Sequence, residues 1–476
     1  MYRRVSDRLA SAVSLLCFSS LLPQLSHALT IDVTNSDSIK AASSQVAYGM
    51  MKYYTGNHTG DVPGNLPAPY YWWEAGAMFG HMVEYWYYTG DTTYNEEVTQ
   101  ALQHQIGDDS DFMPANQSKS LGNDDQMFWA FAAMSAAELN YPNPPDNEPG
   151  WLALAQAVFN EQALRWDTLK CNGGLRWQIF TFNAGFDYKN TISNGGFFQL
   201  AARLARYTDN STYSDWAEKT WDWFEGSVLF DQSKWQVNDG TSTDNNCSDA
   251  DQLQWSYNYG TFLVGMAFMY NHTNGSDVWY NRLEGLLNTT LTTFFPANMG
   301  DMIMVEITCE PLGNCNNDQR SFKSFLSRWL ALTAQLVPPV YDRIFAYLRK
   351  SAIGAAGQCD GGTDGITCGH EWNTTTWDGT YGVGEQMCAM AVINTILIDT
   401  EHLSAPYSNS TGGTSKGNPT AGSGTGSGGS GGGGSGGRPS AATSPITTGD
   451  KAGAGIITAI ILFVLIIGSW WLLFVE

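Results

Sequence analysis

The sequence predicts an all-α protein built as an (α/α)6 barrel of six helical hairpins. Apolar runs with a period of 3.6 residues recur through the body of the chain, and a polar or glycine-containing turn opens each run. The openings recur about every 50 to 70 residues, a length that holds two helices and their loops. Because no convincing run of alternating apolar and polar residues separates them, we expect helices closed into a ring.

Polar openings mark the inner helices of this predicted barrel. They lie at 72–74, 123–125, 193–196, 256–258, 320–323 and 382–385. Second helices are predicted between them, the clearest at 151–166, 213–230, 278–293 and 340–352. In a closed ring the inner-helix entrances meet on one face, whereas a linear solenoid would leave them strung apart. The alternative is an all-helical scaffold whose polar openings only cap helices.

Both ends of the chain carry targeting patterns. Residues 1–28 have a basic start, an apolar run and a small-residue exit, which is typical of a secretory signal peptide. Residues 404–450 are rich in Gly, Ser and Thr, so we expect a flexible tether. The apolar tail 451–476 follows small residues and a spacer, which favours a removed GPI-anchor signal over a retained membrane helix. The folded body is therefore predicted at 29–403, held at the outer face of the plasma membrane.

Charge and cysteine usage narrow the class of protein. The formal net charge of -22 argues against nucleic acid and other polyanions as partners. The predicted disulfides are Cys171–Cys247, Cys309–Cys315 and Cys359–Cys368. Cys388, on an apolar helical run, is then expected to be a buried free thiol. Disulfides together with several N-glycosylation sequons agree with an extracellular glycoprotein.

The most informative motif is the adjacent pair Asp124 and Asp125, at a turn that opens an apolar helical run. Two neighbouring carboxyl groups do not ionise together easily, so one should keep its proton near neutral pH while the other stays charged. A glycosidase needs such a pair, and adjacent side chains suit the spacing of about 5 to 5.5 Å that retaining enzymes use. The alternative is that the two aspartates only cap the N-terminus of a helix and interact with its dipole.

Further polar and aromatic residues are predicted to line the same face. The expected sugar-binding residues, with helix capping or core packing as the alternative for each, are Glu74, Asn123, Gln126, Asn194, Asp251, Tyr257, Asn258, Trp377 and Glu385. Arg320 is a weaker candidate for a phosphate contact, since a lone arginine more commonly forms a structural salt bridge. No histidine pair has zinc-ligand spacing, and the acidic stretch 244–251 lacks the glycine and glutamate of a calcium loop. We therefore expect neither a metal nor a cofactor.

Three segments carry a family resemblance. They are Gly-Asn-Asp-Asp-Gln-Met-Phe-Trp at 122–129, Ser-Asn-Gly-Gly-Phe-Phe-Gln at 193–199 and Trp-Asp-Gly-Thr-Tyr-Gly-Val-Gly-Glu-Gln at 377–386. They resemble glycoside hydrolase family 76, the endo-α-1,6-mannanases, and the end signals resemble its fungal GPI-anchored cell-wall branch.

The resemblance implies an (α/α)6 barrel and a reaction that retains anomeric configuration. By position, it implies Asp124 as the nucleophile and Asp125 as the general acid and base. We expect Asn123, Gln126 and nearby amides to keep the pKa of the nucleophile low. The resemblance implies no metal for this chemistry.

For the substrate, the resemblance implies α-1,6-linked mannose, either in the core of GPI glycans or in wall mannan. On the GPI core the expected reaction is transglycosylation, which would pass the protein-bearing remnant to cell-wall β-glucan. One alternative is hydrolysis of wall mannan, which shares the covalent intermediate and differs only in the acceptor. The other is a non-catalytic mannan-binding wall protein. We expect the protein to be a monomer.

Overall fold

The computed structural model describes residues 29–422, and the predicted signal peptide and apolar tail lie outside them. Helices dominate this region. They are α1 (Ser36–Met51), α2 (Trp72–Thr89), α3 (Asn95–His104), α4 (Asn123–Glu138), α5 (Trp151–Leu164), α6 (Thr191–Thr208), α7 (Ser211–Glu225), α8 (Ser256–His272), α9 (Asp277–Phe294), α10 (Phe322–Leu336), α11 (Tyr341–Gly357) and α12 (Val383–Thr400). Within the described residues, no helix is both long enough and apolar enough to cross a membrane.

The even-numbered helices form a closed inner ring. Helix α2 packs on α4, and the contacts continue through α6, α8, α10 and α12 back to α2. The odd-numbered helices pack outside this ring, with α5, α7 and α9 each against the inner helix that precedes it in the chain and α1 against α12. The predicted (α/α)6 barrel is therefore confirmed, and each predicted opening lies at or next to the start of an inner helix.

Burial patterns explain which helices lie inside. Inner helix α12 is buried along nearly its whole length, because neighbours surround it on all sides. Outer helix α7 instead buries one stripe, formed by Tyr213, Ala217, Trp221 and Phe224. That spacing of three to four residues is the mark of a helix with one covered face.

Glycines let inner helices approach closely at two points. A Cβ atom at Gly76 would lie 2.6 Å from Cδ1 of Trp129, so α2 and α4 meet through the tryptophan ring. A Cβ atom at Gly195 would lie 2.4 Å from Cγ2 of Thr261, where α6 meets α8. Larger residues at either point would push the ring apart.

Two buried ion pairs cross the barrel interior away from the inner-helix entrances. Nη2 of Arg203 lies 2.6 Å from Oε2 of Glu138, and Arg328 pairs with Glu84. The Ser135 hydroxyl accepts from both guanidinium groups, at 3.0 Å from Arg203 and 3.3 Å from Arg328. This network connects α2, α4, α6 and α10.

Short strands, which the sequence analysis did not predict, lie in the loops of the described chain. Strands β1 (Tyr188–Asn190), β4 (Gly240–Ser242) and β5 (Ala250–Asp251) form an antiparallel sheet in the order β1-β4-β5. Strand β2 (Phe230–Asp231) pairs with β3 (Gln236–Val237). Strands of two or three residues are too short to show an alternating pattern.

The cysteine predictions are confirmed. The disulfides in the described region are Cys171–Cys247, Cys309–Cys315 and Cys359–Cys368. Cys388 is buried and free. The three bridges all lie in loops of the barrel and none crosses the inner ring.

Ordered packing continues beyond the predicted end of the body at residue 403. Residues 404–422, here called the C-terminal strap, run first across the ends of inner helices. The N–H of Tyr407 donates to the carbonyl of Glu138 at 2.7 Å, and the N–H of Asn409 donates to the carbonyl of Tyr207 at 2.9 Å. Composition predicts a flexible tether from residue 404, but these contacts use carbonyls that helix ends leave unpaired. The body boundary in the structure therefore lies later than predicted.

The C-terminal strap then follows outer helix α5 toward the entrance face of the barrel. The N–H of Leu152, near the start of α5, donates to Oγ of Ser415 at 3.0 Å. Nδ2 of Asn160, near the end of α5, donates to the carbonyl of Ala421 at 2.9 Å. Because α5 runs antiparallel to α4, the strap ends at Gly422 on the side where α4 begins.

Candidate active site

The entrance of α4 fixes the two adjacent aspartates. Gly122 precedes the helix in an extended conformation, and its N–H donates to Oδ2 of Asp125 at 2.6 Å. The N–H of Asp125 donates to Oδ1 of Asp124 at 3.0 Å. A Cβ atom at Gly122 would lie 2.3 Å from Oδ1 of Asp124, so a larger residue would displace that carboxylate. Capping and the proposed chemistry therefore involve the same side chains, because the cap holds both carboxyl groups in place.

Asn190 orients Asp124 from the end of β1. Its Nδ2 donates to Oδ2 of Asp124 at 2.9 Å. Its Oδ1 accepts from the N–H of Ser193, which makes Asn190 the N-cap of α6. One asparagine thus joins the start of α6 to the carboxylate at the start of α4.

The entrances of the inner helices surround an open cleft. Its described lining residues are Trp73, Asp124, Asp125, Phe128, Trp177, Tyr188, Asn190, Ile192, Asp239, Tyr257, Asp318 and Phe322. This lining combines aromatic rings with four aspartates and includes no lysine, arginine or histidine. A concave site with apolar walls and a few convergent polar groups is typical of ligand binding.

The two adjacent aspartates differ in their proton affinity. Burial raises the pKa of Asp124 to about 6, and hydrogen bonds from Asn190 and from backbone amides oppose that rise. Burial and the charge of Asp124 raise the pKa of Asp125 well above its usual range. Near neutral pH, Asp124 is therefore the charged member of the pair and Asp125 the protonated one.

Asp239 is a third carboxyl group beside Asp124. Nδ2 of Asn258 donates to its Oδ1 at 3.1 Å, and the hydroxyl of Tyr188 donates to its Oδ2 at 3.4 Å. Burial raises the pKa of Asp239 to about 6, and its charge in turn raises the pKa of Asp124. The loop after β3 thus adds a carboxylate that neighbours the charged member of the pair.

The predicted residues of α8 divide between two roles. Tyr257 lines the cleft, and its ring stacks on Phe322 with 3.8 Å between ring centroids and an interplanar angle of 8°. Asn258 is buried behind the cleft, where it holds Asp239. The sequence therefore predicts correctly that the start of α8 lies at the cleft. Of its two predicted residues, only Tyr257 lines the cleft.

Asn123 and Gln126 support α4 and do not contact Asp124 through their side chains. Nη1 of Arg165 donates to Oδ1 of Asn123 at 3.0 Å and to Oε1 of Gln126 at 2.7 Å. The expectation that these two side chains lower the pKa of Asp124 is therefore wrong. The side-chain amide of Asn190 and nearby backbone N–H groups lower it, because the helical turn points residues 123 and 126 away from residue 124. Burial still raises the pKa of Asp124 to about 6, so the expectation of a low pKa is also wrong.

Two further predicted residues act as structural anchors. Asn194 is buried, and its Oδ1 accepts from the N–H of Leu175 at 2.7 Å. Glu74 is also buried, and its Oε2 accepts from the N–H of Tyr71 at 2.8 Å as a cap of α2. Burial raises the pKa of Glu74 to about 8. Neither residue lines the cleft: Glu74 fits the capping alternative, whereas Asn194 fixes the loop backbone at Leu175.

The remaining predicted residues also lie off the cleft lining. Glu385 is buried, and its Oε1 lies 3.3 Å from Nη1 of Arg320. Arg320 therefore forms a structural salt bridge, which is the commoner role expected for a lone arginine. Asp251 is exposed on β5. Nε1 of Trp377 donates to the carbonyl of Thr380 at 2.8 Å. These three residues lie outside the lining of the cleft, because the buried start of α12 holds Glu385 and short or irregular segments without a periodic signal position Asp251 and Trp377.

The cleft residues that sequence reasoning missed come from the first turns of inner helices, from β1 and from loops. They are Trp73, Phe128, Trp177, Tyr188, Asn190, Ile192, Asp239, Asp318 and Phe322. One signal was available, since Asn190 lies three residues before Ser193 and so fits an N-cap. No local pattern marks Asp239 or Asp318, because the fold alone brings them to the cleft.

The acidic residues of the described chain do not form a metal site. Within residues 29–422, no group of three or more His, Cys, Asp or Glu side chains is placed to hold a metal ion. The acidic stretch 244–251 instead forms internal turns, with Oδ1 of Asn245 accepting from the N–H of Ser248 at 3.3 Å. The cleft itself offers carboxyl groups and aromatic surfaces.

Comparison with known proteins identifies the family. The model of glycosyl hydrolase family 76 matches residues 38–410. The chain belongs to this family. Among family 76 relatives, mannan endo-1,6-alpha-mannosidase DCW1 of Saccharomyces cerevisiae is 49% identical over 95% of this chain and 96% of its own length. Mannan endo-1,6-alpha-mannosidase DFG5 of the same yeast is 44% identical over 98% of this chain and 99% of its own length.

Solved structures agree with the family 76 assignment. Dfg5 from Chaetomium thermophilum, in complex with glucosamine, matches with a TM-score of 0.78 and 44% identity over 82% of this chain and 97% of that chain. An α-1,6-mannanase of Salegentibacter matches with a TM-score of 0.61 at 15% identity over 76% of this chain and 99% of that chain, which shows the fold alone. The chain is therefore a glycoside hydrolase with an (α/α)6 barrel, as predicted.

Proposed function

We propose that this protein is a retaining endo-acting α-1,6-mannosidase whose catalytic residues are Asp124 and Asp125. The observation that carries the proposal is one cleft in which two adjacent aspartates differ in proton affinity. The relatives named mannan endo-1,6-alpha-mannosidase support the choice of linkage. Retaining glycosidases use two carboxyl groups whose pKa values differ, one as nucleophile and one as acid and base.

Asp124 suits the role of nucleophile. It is the charged member of the pair near neutral pH, and Asn190 fixes one of its oxygens. Its carboxylate attacks the anomeric carbon of the mannose, the bond to the departing oxygen breaks, and a covalent mannosyl-enzyme forms. The electron pair of the broken bond goes to the departing oxygen.

Asp125 suits the role of general acid and base. Its raised pKa keeps a proton available, while the N–H of Gly122 holds one carboxyl oxygen at 2.6 Å. That proton passes to the departing oxygen in the first step. In the second step Asp125, now ionised, takes a proton from the acceptor hydroxyl, whose oxygen displaces Asp124 from the anomeric carbon. Both aspartates then return to their starting protonation states.

The walls of the cleft suit a carbohydrate chain. Trp177, Tyr188 and Tyr257 present aromatic rings that can cover the apolar faces of sugars. Asp239, held by Asn258, offers a hydrogen-bond acceptor beside the nucleophile. We propose that it binds hydroxyl groups of the mannose that becomes attached to Asp124.

For the biological reaction, we propose transglycosylation from the mannose core of GPI glycans to cell-wall β-glucan. This would cross-link GPI-anchored proteins to the wall. The predicted secretion signal, tether and GPI signal support it, because an enzyme at the outer face of the membrane meets such glycans at high local concentration. The glucosamine bound to the Chaetomium thermophilum relative also supports it, since an acidic cleft accommodates an amino sugar. Hydrolysis of wall mannan is the second candidate, favoured by the names of the curated relatives.

The test uses protein purified from expression of the full chain. It is incubated with a GPI-core glycan that contains α-1,6-mannose, with and without a β-glucan oligosaccharide, and the products are identified by mass spectrometry. A donor-acceptor conjugate supports transglycosylation, and a released glycan alone supports hydrolysis. Both products should disappear in Asp124→Asn and in Asp125→Asn, while the exposed Asp251→Asn serves as the matched control. Binding without turnover in all variants would instead support a non-catalytic mannan-binding protein.

The proposed location has its own test. Intact cells are treated with a phospholipase that cleaves GPI anchors, and the released protein is measured by immunoblotting. Release supports a GPI anchor, whereas retention of the protein in the membrane fraction would support a membrane helix.

A further inference from the structure

Asp318 is the fourth aspartate in the lining of the cleft. It precedes the short 3-10 helix Gln319–Ser321 that leads into α10. Its carbonyl accepts from the N–H of Ser321 at 2.9 Å and from the hydroxyl of Ser321 at 2.6 Å. The backbone is therefore held in place, and the side chain lines the cleft beside Trp73.

The carboxyl group of Asp318 is only partly satisfied by the protein. The indole N–H of Trp73 hydrogen-bonds to it. Its Oδ1 atom is buried and has no hydrogen-bond partner among residues 29–422. Leaving a buried acceptor unpaired costs free energy, and natural proteins retain such groups mainly where function needs them.

Each of the two other carboxyl groups of the cleft neighbours a different member of the catalytic pair. Asp239 is held by Asn258 of α8, and its charge raises the pKa of Asp124. Asp318 lines the cleft beside Trp73 of α2, and its charge raises the pKa of Asp125. Asp239 thus neighbours the proposed nucleophile and Asp318 neighbours the proposed acid. In a retaining glycosidase the nucleophile lies under the sugar that stays bound, and the acid faces the sugar that leaves. Asp318 is therefore on the leaving-group side.

We infer that Asp318 binds a hydroxyl or ammonium group of the sugar on the leaving-group side, and so selects which glycan departs and which acceptor enters. This inference rests on the proposed function, because it uses the roles given to Asp124 and Asp125. The ring of Trp73 lies beside that sugar, and its N–H fixes the carboxyl group of Asp318. The sugar then supplies the partner that Oδ1 of Asp318 lacks within the protein.

The test compares two substrates that share a glycone and differ in the leaving group. One is a nitrophenyl α-1,6-mannobioside, whose aryl group carries no sugar hydroxyls and departs without much protonation. The other is α-1,6-mannotetraose, which places a sugar next to Asp318. For each variant of the full chain, the readout is the ratio of kcat/KM for the tetraose to kcat/KM for the aryl substrate.

Asp318→Asn should lower this ratio roughly 10- to 100-fold, the range expected for losing a hydrogen bond to a charged group. Trp73→Phe keeps a ring and the carboxyl group but removes the indole donor, so it should lower the ratio by a smaller factor. Asp239→Asn makes the same chemical change on the other side of the pair. It should lower both rates and leave the ratio within about twofold of the native protein, because both substrates share the glycone.

The outcomes separate this inference from the proposed function. An equal loss on both substrates in Asp318→Asn, or no loss on either, would overturn the inference while leaving the proposed function intact. Absence of cleavage of both substrates by the native protein would overturn both. If Asp318→Asn fails to fold by circular dichroism, Trp73→Phe decides, and an unchanged ratio in that variant overturns the inference.

Discussion

The far end of the barrel interior and the cleft at its entrance treat buried carboxyl groups in opposite ways. At the end away from the entrances, each buried glutamate has an arginine partner, Glu84 with Arg328 and Glu138 with Arg203. At the entrance end, four aspartates line one cleft whose described lining holds no cationic side chain. Both ends are built from the same inner helices, so helix packing alone does not explain the difference.

The difference distinguishes carboxyl groups that stabilise the fold from carboxyl groups that can take part in catalysis or binding. A buried charge needs a partner, and at the far end the protein supplies one. Burial also raises the pKa of Glu138, but the charge of Arg203 opposes that rise. In the cleft no cation of the described lining opposes it, and burial and neighbouring acids favour the protonated forms. Groups left in that state are available to exchange protons or to bind a substrate.

Replacing Asp124 gives the largest expected effect. Asp124→Asn should lower kcat/KM on an α-1,6-mannoside by about a thousandfold or more, because the amide is not a nucleophile. The melting temperature should not fall, since the substitution keeps the shape of the side chain and removes a buried negative charge whose desolvation is costly. Steady-state kinetics and thermal melting test this. Substantial activity in correctly folded Asp124→Asn would contradict the role given to this residue.

Replacing Glu138 probes the opposite end of the interior. Glu138→Gln leaves the buried Arg203 without its charge partner, so it should lower the free energy of unfolding by about 3–5 kcal/mol. Denaturant titration measures the change. Lys416→Ala, which removes an exposed ion pair with Asp146, is the control and should cause no measurable change. A stable Glu138→Gln variant would show that the far-end pair is not structural.

Removing the C-terminal strap should have a moderate effect on stability. A chain ending at residue 403 loses the hydrogen bonds of Tyr407 and Asn409 to the ends of inner helices. We expect it to be less stable than a chain ending at 422 by about 2 kcal/mol, since a few net hydrogen bonds are lost. Equilibrium unfolding of the two chains checks this. Equal stability would mean that the strap only rests on the barrel.

The acid limb of the pH profile of activity should report the ionisation of Asp124 in the cleft. Asp124 must be ionised to attack, so kcat/KM should fall about tenfold per pH unit below its pKa of about 6. Asp239→Asn removes a charge that raises this pKa, so the acid limb should move to lower pH. The alkaline limb should report loss of the proton of Asp125, whose pKa is raised. An acid limb that does not move in Asp239→Asn would contradict the coupling of these two carboxyl groups.

Much of the fold could be predicted because inner helices leave strong local signals. Each buried helix gives a long apolar run, and a polar turn opens each run, as at Asn123 and Ser256. The catalytic pair could be predicted for the same reason, since both aspartates lie in one such turn. Cys309–Cys315 and Cys359–Cys368 followed from close spacing within loops, whereas Cys171–Cys247 was the third candidate pair and joins residues 76 positions apart.

The rest of the cleft could not be predicted because tertiary structure assembles it. Asp239 and Asp318 lie far along the chain from Asp124 and come from loops without periodicity. Polar residues near helix openings, such as Asn194 and Glu74, were predicted to bind sugar, but they satisfy backbone groups inside the fold. The C-terminal strap was missed because its composition matches that of a flexible linker, although its backbone finds partners on the barrel.

The path of the C-terminal strap has a practical consequence for handling this enzyme. Beside α5 it covers the stretch from Leu152 to Asn160, a rise of about 12 Å at 1.5 Å per residue, toward the entrance face. The described chain ends at Gly422, where an added Cβ atom would lie 3.2 Å from the carbonyl oxygen of Ala157. A resin, electrode or fluorescent carrier joined directly after Gly422 would therefore begin on outer helix α5, on the side of the barrel where α4 begins and the cleft opens. For immobilised assays, attachment through surface residues on the opposite face would leave the mouth open.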